Sequence, residues 1–308
     1  MNKTAIEWAQ NPDGTPGYTL NVKTGCLNGC PYCYARELAN GRLKPRYFGG
    51  DCIPIPYTTN KDLDNPFYPR FWPGHLKQPS EIKKPSGIFL DDMSDWMGDY
   101  WPREWTEYEL QMMRDNPQHR FYTLTKQPQN LVQWSPFPDN CWVGVTATDR
   151  EQYVKALQAL SPIEATLKFL SLEPLLGDVM AGEWRTYTVT FPYIVGGANE
   201  ERVLRLTTPP AFGYAPGWVN EDMVLRVTGI KCLIIGAMTG RKAKIEELAR
   251  QYPKLTPMPW GKIWTLQPPL SWVNEIVSAA DQAGIQVFLK NNLKLSQVLA
   301  LRQEMPGE

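Results

Sequence analysis

Three cysteines near the start of the chain have the types and spacing to hold one metal centre. Cys26, Cys30 and Cys33 form a C-x3-C-x2-C pattern, so their thiolates can converge without help from distant residues. Gly25 and Gly29 stand directly before two of them and tolerate the left-handed backbone conformations of a tight loop. Thiolate is the usual ligand of iron–sulfur clusters, which commonly take four of them. Three thiolates on a [4Fe–4S] cluster would leave one iron open for chemistry.

A structural zinc site is the main alternative explanation of such a cysteine group. It needs four ligands, commonly in paired C-x2-C or Cys/His sets. The sequence has no second cysteine pair, and His75 and His119 are not spaced as a pair. The order of strand, Gly-Cys, Gly-Cys, aromatic-Cys and helix also argues against a chance cluster. We therefore favour iron–sulfur chemistry.

The length and charge of the chain limit the function classes. A chain of 308 residues can form one large domain or two ordinary ones. Its net charge is zero, so the strong basic field that marks non-specific nucleic-acid binding is missing, although a local basic patch is compatible with a neutral total. No apolar run reaches the length of a membrane span, and the N-terminus lacks the apolar core of a signal peptide. We expect a cytoplasmic protein with no membrane contact.

Apolar runs alternate with helical patterns along the chain. We predict strands at 18–23, 86–90, 119–125, 140–146, 166–172, 230–235 and 285–289, and helices at 33–43, 101–116, 150–160, 242–251 and 271–283. This alternation predicts parallel βα units. Polar residues follow the strands directly, as in βα barrels, whose active-site groups lie at that end. The predicted fold class is α/β, a partial or near-complete TIM-like barrel of parallel strands with a small antiparallel β insertion.

Two segments depart from this alternation. Residues 181–229 are rich in β-branched runs, which predicts the antiparallel insertion between barrel segments 1–180 and 230–308. It would serve either as a substrate lid or as a hairpin without a role. Residues 53–79 form a long aromatic connection, which is either functional or a packed cover of the barrel. We expect His75, within it, to be hydrogen-bonded rather than catalytic. In the helix at 101–116, Pro102 is expected in the first turn.

The cysteine motif, with Tyr32 before its third cysteine, resembles the signature of the radical S-adenosylmethionine (SAM) superfamily. Further segments resemble a radical SAM-like family that is common in phages and prophages and is mostly described by a domain of unknown function. These segments cover most of the chain outside the insertion: 6–8, 24–26, 31–35, 93–95, 124–126, 142–145, 171–177, 235–237 and 288–290.

The resemblance implies a radical SAM enzyme with one [4Fe–4S] cluster on the three cysteines. In that superfamily the open iron binds the amino and carboxylate groups of SAM. Reductive cleavage then yields a 5′-deoxyadenosyl radical that abstracts a hydrogen atom from the substrate. An electron donor such as flavodoxin or ferredoxin is implied as a partner. Phage association suggests a nucleic-acid base or its modification as the substrate.

Cofactor contacts follow from the same resemblance. The backbone around Tyr32 is expected against the adenine. The end of the second predicted strand is where the superfamily supplies acceptors for the SAM ammonium, but the glycine-rich form of that motif is missing, which leaves the accepting atom open. Lys126 is either a partner of the SAM carboxylate or a solvated lysine, and the threonines are expected at the ribose hydroxyls. The candidate cofactor-binding residues are Tyr32, Asp92, Met93, Ser94, Lys126, Thr146, Thr148 and Gly236.

Glu173 and Lys290 are the candidate catalytic residues. Each directly follows a buried apolar strand, where an unpaired charge is costly. They either pair as structural props or face a polar ligand, with Lys290 as substrate contact or proton donor. Cys141 and Cys232 lie at or within strands and are expected to be inert core thiols.

Two further functions remain open at this point. The first is a non-catalytic scaffold that binds iron–sulfur or zinc. The second is an iron–sulfur enzyme that cleaves a different SAM bond and transfers an aminocarboxypropyl group. An open metal position that binds SAM separates the scaffold from either enzyme.

Overall fold

A computed structural model describes residues 1–48, 50–181, 186–195, 198–207, 225–226, 228–294 and 301–307. The fold is mixed α/β with a large, mostly parallel sheet, as predicted. The strands are β1 (Asn2–Lys3), β2 (Tyr18–Leu20), β3 (Lys23–Thr24), β4 (Ile53–Pro54), β5 (Arg70–Phe71), β6 (Gly87–Leu90), β7 (Arg120–Thr125), β8 (Cys141–Thr146), β9 (Leu167–Leu172), β10 (Thr186–Val195), β11 (Ala198–Thr207), β12 (Ile230–Ile235), β13 (Met238–Gly240), β14 (Thr256–Trp260), β15 (Ile263–Gln267) and β16 (Gln286–Leu289).

The α-helices alternate with the parallel strands. They are α1 (Tyr34–Asn40), α2 (Lys44–Tyr47), α3 (Asn60–Leu63), α4 (Arg103–Asp115), α5 (Arg150–Leu160), α6 (Lys242–Gln251) and α7 (Leu270–Ala283). Helix α4 buries Trp105, Glu109 and Met113 at a spacing of four residues, which gives it one inward face. It begins at Arg103, one residue after the expected proline position. Pro102 has an extended ψ of 134° and is the N-cap instead.

Two compact units divide the chain. The first comprises Met1–Val145, Glu164–Leu167 and Gly307–Glu308. In it β2, β6, β7 and β8 are adjacent in that order and parallel, and β1 pairs antiparallel with β2. A small sheet of order β3-β5-β4 follows β2. Residues 53–79 supply two of its strands, and Phe71 stacks on Trp105 with ring centroids 4.8 Å apart. The aromatics there include buried packing residues, as in a packed cover.

The second unit comprises Thr146–Ile163 and Lys168–Pro306. Strand β12 lies between β9 and β16, and all three are parallel. A second small sheet has the order β13-β15-β14 and is antiparallel. We predicted no strand between residues 236 and 284. Pro257 and Pro259 suggested a loop, but β14 is the edge strand of the sheet, where proline is tolerated.

The predicted antiparallel insertion is confirmed as a hairpin. Strands β10 and β11 pair in register from Thr186 with Thr207 to Val195 with Ala198. Residues 225 and 226, which also belong to the predicted insertion, are helical rather than extended. Residues 182–185, 196–197, 208–224 and 227 of the insertion lie outside the described residues. Two expectations about the insertion stay predictions: its boundaries at 180 and 230, and its role as a substrate lid.

Candidate functional site

The cysteine loop is fixed by its backbone to the residues that follow β6. The Gly25 N–H donates to the Met93 carbonyl at 2.9 Å, and the Cys26 N–H donates to the Phe67 carbonyl at 3.3 Å. Gly25 has φ +83°, and a Cβ there would lie 2.5 Å from the Tyr68 carbonyl oxygen. Only glycine fits this position. The loop therefore begins at a defined point at the C-terminal end of a parallel strand.

All three cysteines of the motif are free thiols of intermediate burial. Cys33 is the N-cap of α1, and its sulfur accepts a hydrogen bond from the Arg36 N–H at 3.4 Å. The Cys26 sulfur accepts one from the Asn28 N–H, also at 3.4 Å. Hydrogen bonds of this kind favour the thiolate, the form that binds metal. Two of the three sulfurs thus already have a backbone donor.

Burial raises the pKa of the Cys26 thiol to about 11, against smaller lowering effects of the Tyr100 hydroxyl and the Asn28 N–H. The pKa of Tyr100 is also raised, mainly by burial and then by the neighbouring Cys26. A metal that binds Cys26 must therefore displace a proton that burial holds in place.

No three His, Cys, Asp or Glu side chains close around a single metal ion in the described part of the chain. An iron–sulfur cluster takes each thiolate on a different iron, so its ligands stand farther apart than those of one ion. The donor set itself, three free thiols on one loop, is the type that such clusters use. The residues present fit a cluster of this kind.

The residues after β6 form a polar group beside the loop. Asn21 accepts from the Met93 N–H at 2.9 Å and donates to Asp92 Oδ1 at 2.6 Å. Tyr34, at the start of α1, donates its hydroxyl to the Asp92 carbonyl at 2.6 Å. The pKa of Asp92 is raised, chiefly by burial. Asp92 is thus held by groups from both sides of the cysteine loop.

Ser94 and Met93 differ in what they can offer a ligand. The Ser94 hydroxyl oxygen is buried and has no hydrogen-bond partner among the described residues, so it is available to a bound polar group. The Met93 side chain instead belongs to an apolar cluster with Ala35, Ala39, Tyr47 and Phe67. Its backbone N–H and carbonyl are both engaged within the protein.

Asp95 joins this group, although no local sequence pattern distinguishes it from its acidic neighbours. It is 4% exposed and accepts from the Asn28 side chain, the Thr125 hydroxyl and the Lys126 N–H. The Lys126 ammonium has no ion-pair partner in the described ranges. The ends of β6 and β7 and the cysteine loop therefore meet at one carboxylate.

A fully buried ion pair lies immediately before the loop. Lys23 Nζ is 2.6 Å from Glu109 Oε2, and both side chains have no exposed surface. Asp91, with φ 59°, accepts from the N–H groups of Val22 and Lys23 at 2.8 Å each. Its pKa is raised well above the usual range by burial and by the neighbouring Glu109 carboxylate. Among the described residues, Asp91 Oδ2 and Glu109 Oε1 have no hydrogen-bond partner.

In the second unit Glu173 and Lys290 pair with each other. Lys290 Nζ donates to Glu173 Oε1, and the side chains are 16% and 24% exposed respectively. A Cβ on Gly236 would lie 3.0 Å from Lys290 Cδ and 3.1 Å from Glu173 Cγ. Of the two arrangements that we considered, the structure shows the ion pair between Glu173 and Lys290. The partial exposure leaves the pair open to a ligand.

Thr146 and Thr148 are both buried. The Thr148 hydroxyl donates to Gln152 Oε1 at 3.2 Å, and the Thr148 carbonyl accepts from the N–H groups of Leu176 and Gly177. Thr148 therefore has a structural task, and only a free lone pair of its hydroxyl is left for a ligand.

The remaining expectations concern residues outside the site. His75 Nδ1 lies 2.6 Å from the Asn21 carbonyl oxygen, and its ring stacks on Trp72, so it is hydrogen-bonded as predicted. Cys141 and Cys232 are buried, and burial raises the pKa of each to about 12. Both are core thiols as expected. None of the helices in the described ranges has the length and apolar character of a membrane span.

Comparisons with known proteins give one family and several structural neighbours. The family model described as protein of unknown function (DUF5131) matches residues 3–249. No curated protein matches the chain. Spore photoproduct lyase complexed with dinucleoside spore photoproduct is similar at 10% identity and a TM-score of 0.45, over 87% of this chain and 75% of that chain. A mutant of that lyase with bound AdoMet and dinucleoside spore photoproduct is similar at 11% identity and a TM-score of 0.43, over 87% and 75%.

Proposed function

The chain belongs to the DUF5131 family, and on this premise we propose that it is a radical SAM enzyme with one [4Fe–4S] cluster on Cys26, Cys30 and Cys33. The observation that carries the proposal is the cysteine loop, whose three free thiols stand on a backbone fixed to the end of β6. When bound, the cluster supplies the electron for reductive cleavage of SAM to a 5′-deoxyadenosyl radical, which abstracts hydrogen from the substrate.

Residues of the first unit bind and orient SAM in this proposal. The unpartnered Ser94 hydroxyl and the Asp92 carboxylate, held by Asn21, are the acceptors for its ammonium. The Lys126 ammonium is the partner of its carboxylate. The backbone around Tyr32 lies against its adenine. Met93 has only the second lone pair of its carbonyl oxygen to offer, because its side chain packs in the apolar cluster and its N–H donates to Asn21.

The remaining candidate residues are assigned to the ribose and the substrate. We assign the ribose hydroxyls to Thr146 and Thr148, and substrate contact to the Glu173–Lys290 pair. In the pair, Lys290 Nζ already donates to Glu173 Oε1, so Lys290 has a proton to give and Glu173 a lone pair to receive one. Gly236 leaves room for both side chains, since a larger residue would press on them.

The substrate class and the electron donor are part of the same proposal. The sequence resemblance supports a nucleic-acid base or its modification as the substrate. It also supports a small electron-donor protein such as flavodoxin or ferredoxin as the partner.

Anaerobic reconstitution with iron and sulfide, followed by dithionite and SAM, tests the proposal. Chromatography should show 5′-deoxyadenosine with the wild type and with Cys52→Ala, which removes a half-buried free thiol outside the motif. It should show none with Cys26→Ala, Cys30→Ala or Cys33→Ala. Methylthioadenosine instead would replace the proposal by aminocarboxypropyl transfer. Full iron content in any of the three motif variants would overturn the site assignment. Wild-type protein that takes up zinc but no cluster would favour the scaffold.

A further inference from the structure

Asp95 has every hydrogen-bonding position of its carboxylate in use. Oδ1 accepts from the Thr125 hydroxyl at 2.6 Å and from the Met97 N–H at 3.2 Å. Oδ2 accepts from the Lys126 N–H at 2.8 Å and from Asn28 Nδ2 at 2.6 Å. A carboxylate offers about four lone-pair sites, so the group is saturated and held in one orientation.

Asn28 connects this carboxylate to a sulfur of the cysteine motif. It lies between Cys26 and Cys30 in the sequence and uses three groups at once. Its Nδ2 donates to Asp95, its Oδ1 accepts from Gln127 Nε2 at 2.7 Å, and its backbone N–H donates to Cys26 Sγ at 3.4 Å. Fixing the side chain therefore also fixes the N–H that points at the sulfur.

Gln127 is itself held on its other side. Its Oε1 accepts from the Asp99 N–H at 3.0 Å and from Asn130 Nδ2 at 3.1 Å, and its backbone N–H donates to the Thr125 hydroxyl. The Asn28 side chain is thus clamped between two polar groups that are rigid before any ligand binds. Such pre-organisation is what a precise metal site requires.

We propose that Asp95 is a positioning residue of the cysteine loop, which acts through Asn28 to hold the Cys26 sulfur and its backbone N–H donor in place for the cluster. The inference rests on the proposed function for the identity of the bound group. Hydrogen bonds to cluster sulfurs set the reduction potential, and outer-shell partners of metal ligands commonly contribute ten- to hundredfold in affinity. Asp95 therefore affects both the retention and the potential of the cluster.

Three variants separate this role from general damage. Asp95→Asn keeps the side-chain shape but leaves one acceptor oxygen, so its NH2 group opposes either the donors of Asn28 and Lys126 or the Met97 N–H and weakens the hold on the loop. Asn28→Ala removes the side chain that connects Asp95 to the loop, at a half-buried position. It tests the positioning role even if Asp95→Asn does not fold. Asp99→Asn is the matched control, because it removes the same charge from an exposed side chain nearby and keeps the backbone N–H that donates to Gln127.

The double variant Asp95→Asn with Asn28→Asp keeps the total charge and reverses the hydrogen bond. The introduced amide at position 95 can donate to the introduced carboxylate at position 28, which can still accept from Gln127. Recovery in this double variant is the result that a loss of packing alone would not give.

Cluster loss to an iron chelator and the midpoint potential of the cluster are the readouts in reconstituted protein. Asp95→Asn and Asn28→Ala should lose the cluster about ten- to hundredfold faster than wild type with a shifted potential. Asp99→Asn should match wild type, and the double variant should regain most of the retention. Wild-type retention and potential in Asn28→Ala, or no recovery in the double variant, would overturn the proposal.

A second readout needs no cluster. In metal-free protein, iodoacetamide labelling of Cys26, resolved by mass spectrometry, should be severalfold faster in Asp95→Asn and Asn28→Ala than in Asp99→Asn. If wild-type protein takes up no cluster, the proposed function fails while this labelling still reports on positioning. Equal labelling in all variants would reject the positioning role by itself.

Discussion

The proton between Asp91 and Glu109 determines how the buried Lys23 is neutralised. Glu109 already contacts Lys23 at 2.6 Å and accepts from Trp96 Nε1 at 3.1 Å. The raised pKa of Asp91 makes it the carboxyl that keeps a proton to higher pH, and we infer that this proton is directed to the unpartnered oxygen of Glu109. The group is then one cation, one anion and one neutral acid. That composition avoids an uncompensated buried charge.

Asp91→Asn should therefore be tolerated, whereas Glu109→Gln should not. The amide keeps an oxygen for the N–H groups of Val22 and Lys23, its NH2 replaces the shared proton, and asparagine suits the left-handed φ. We expect Asp91→Asn to lower the free energy of unfolding by less than about 1 kcal/mol, or to raise it at a pH where the wild type must hold the proton against ionisation. Glu109→Gln leaves the buried Lys23 charge without a counter-ion and should lower the free energy of unfolding by about 3–5 kcal/mol. Urea unfolding at neutral pH measures both, and the reverse order would place the proton on Glu109.

The same group predicts a pH dependence. The unfolded chain loses the Asp91 proton near pH 4, whereas the folded protein keeps it to higher pH. The unfolded state thus binds fewer protons in this window, so the free energy of unfolding falls as pH rises from about 4 toward the folded pKa. Urea unfolding across this window should show a smaller decline in Asp91→Asn than in wild type. An unchanged slope would show that Asp91 is ionised in the folded state.

Gly25 and Gly29 provide a matched pair for the backbone of the loop. Both have positive φ, but a Cβ on Gly29 would meet open space, whereas one on Gly25 would lie 2.5 and 2.6 Å from two carbonyl oxygens. Gly29→Ala should lower the free energy of unfolding by about 1–2 kcal/mol. Gly25→Ala should add about 1–3 kcal/mol for the overlap. Urea unfolding of metal-free protein measures the difference, and equal losses would show that the loop can move away from residues 67 and 68.

At the scale of elements, Cys33 connects a metal ligand to the start of a helix. Its sulfur caps α1 through the Arg36 N–H, so a substitution there affects two properties at once. Serine is among the best N-cap residues, and alanine lacks a cap, which typically lowers stability by about 0.5–2 kcal/mol. The two properties can therefore be separated by the choice of substitution.

Cys33→Ser should keep the metal-free protein at least as stable as wild type, and Cys33→Ala should lower its free energy of unfolding by about 0.5–2 kcal/mol. Neither variant should retain the full cluster, because both lack the thiolate. Urea unfolding and iron content are the two measurements. Equal stability of both variants would show that the cap contributes little, and full iron in either would remove Cys33 from the ligand set.

The elements that the sequence predicted are those with a regular hydrophobic pattern. Helices α5 and α6 and strand β12 were predicted with the observed bounds, since their apolar positions repeat at the spacing of the element. The sheet of β13, β14 and β15 was missed because the prolines of an edge strand read as a loop. A local sequence pattern does not contain the position of a strand within its sheet, and that position is what allows the prolines of β14.

At the scale of the whole molecule, the sequence could propose the candidate site only where its parts are close in sequence. The cysteine loop is local, and its spacing alone named the three thiols. The group around Asp95 joins residues that are 67 positions apart in its bond to Asn28, and Gln127 and Asn28 are separated by 99 positions. The pattern placed acidic residues after β6 but could not say which of them would meet the loop. That choice is made by the register of parallel strands.

The two core thiols test the ligand assignment across the whole chain. Cys141 lies in β8 and Cys232 in β12, both without exposed surface. Their pKa values are raised to about 12, so at pH 8 they are protonated as well as shielded. Native protein should therefore show no iodoacetamide labelling at either position, while unfolding in urea should expose both. Site-resolved mass spectrometry distinguishes them from the half-buried thiols of the motif.

Cys141→Ala and Cys232→Ala should each retain the wild-type iron content after reconstitution. Removing one buried sulfur should lower the free energy of unfolding by about 1 kcal/mol, which leaves the cysteine loop intact. Cys30→Ala should instead lose iron without a comparable loss in the free energy of unfolding. This contrast would separate metal binding by the motif thiol from packing of the core thiols. Loss of iron in Cys141→Ala or Cys232→Ala at unchanged stability would instead place a cluster ligand in the core and contradict the assignment to the loop.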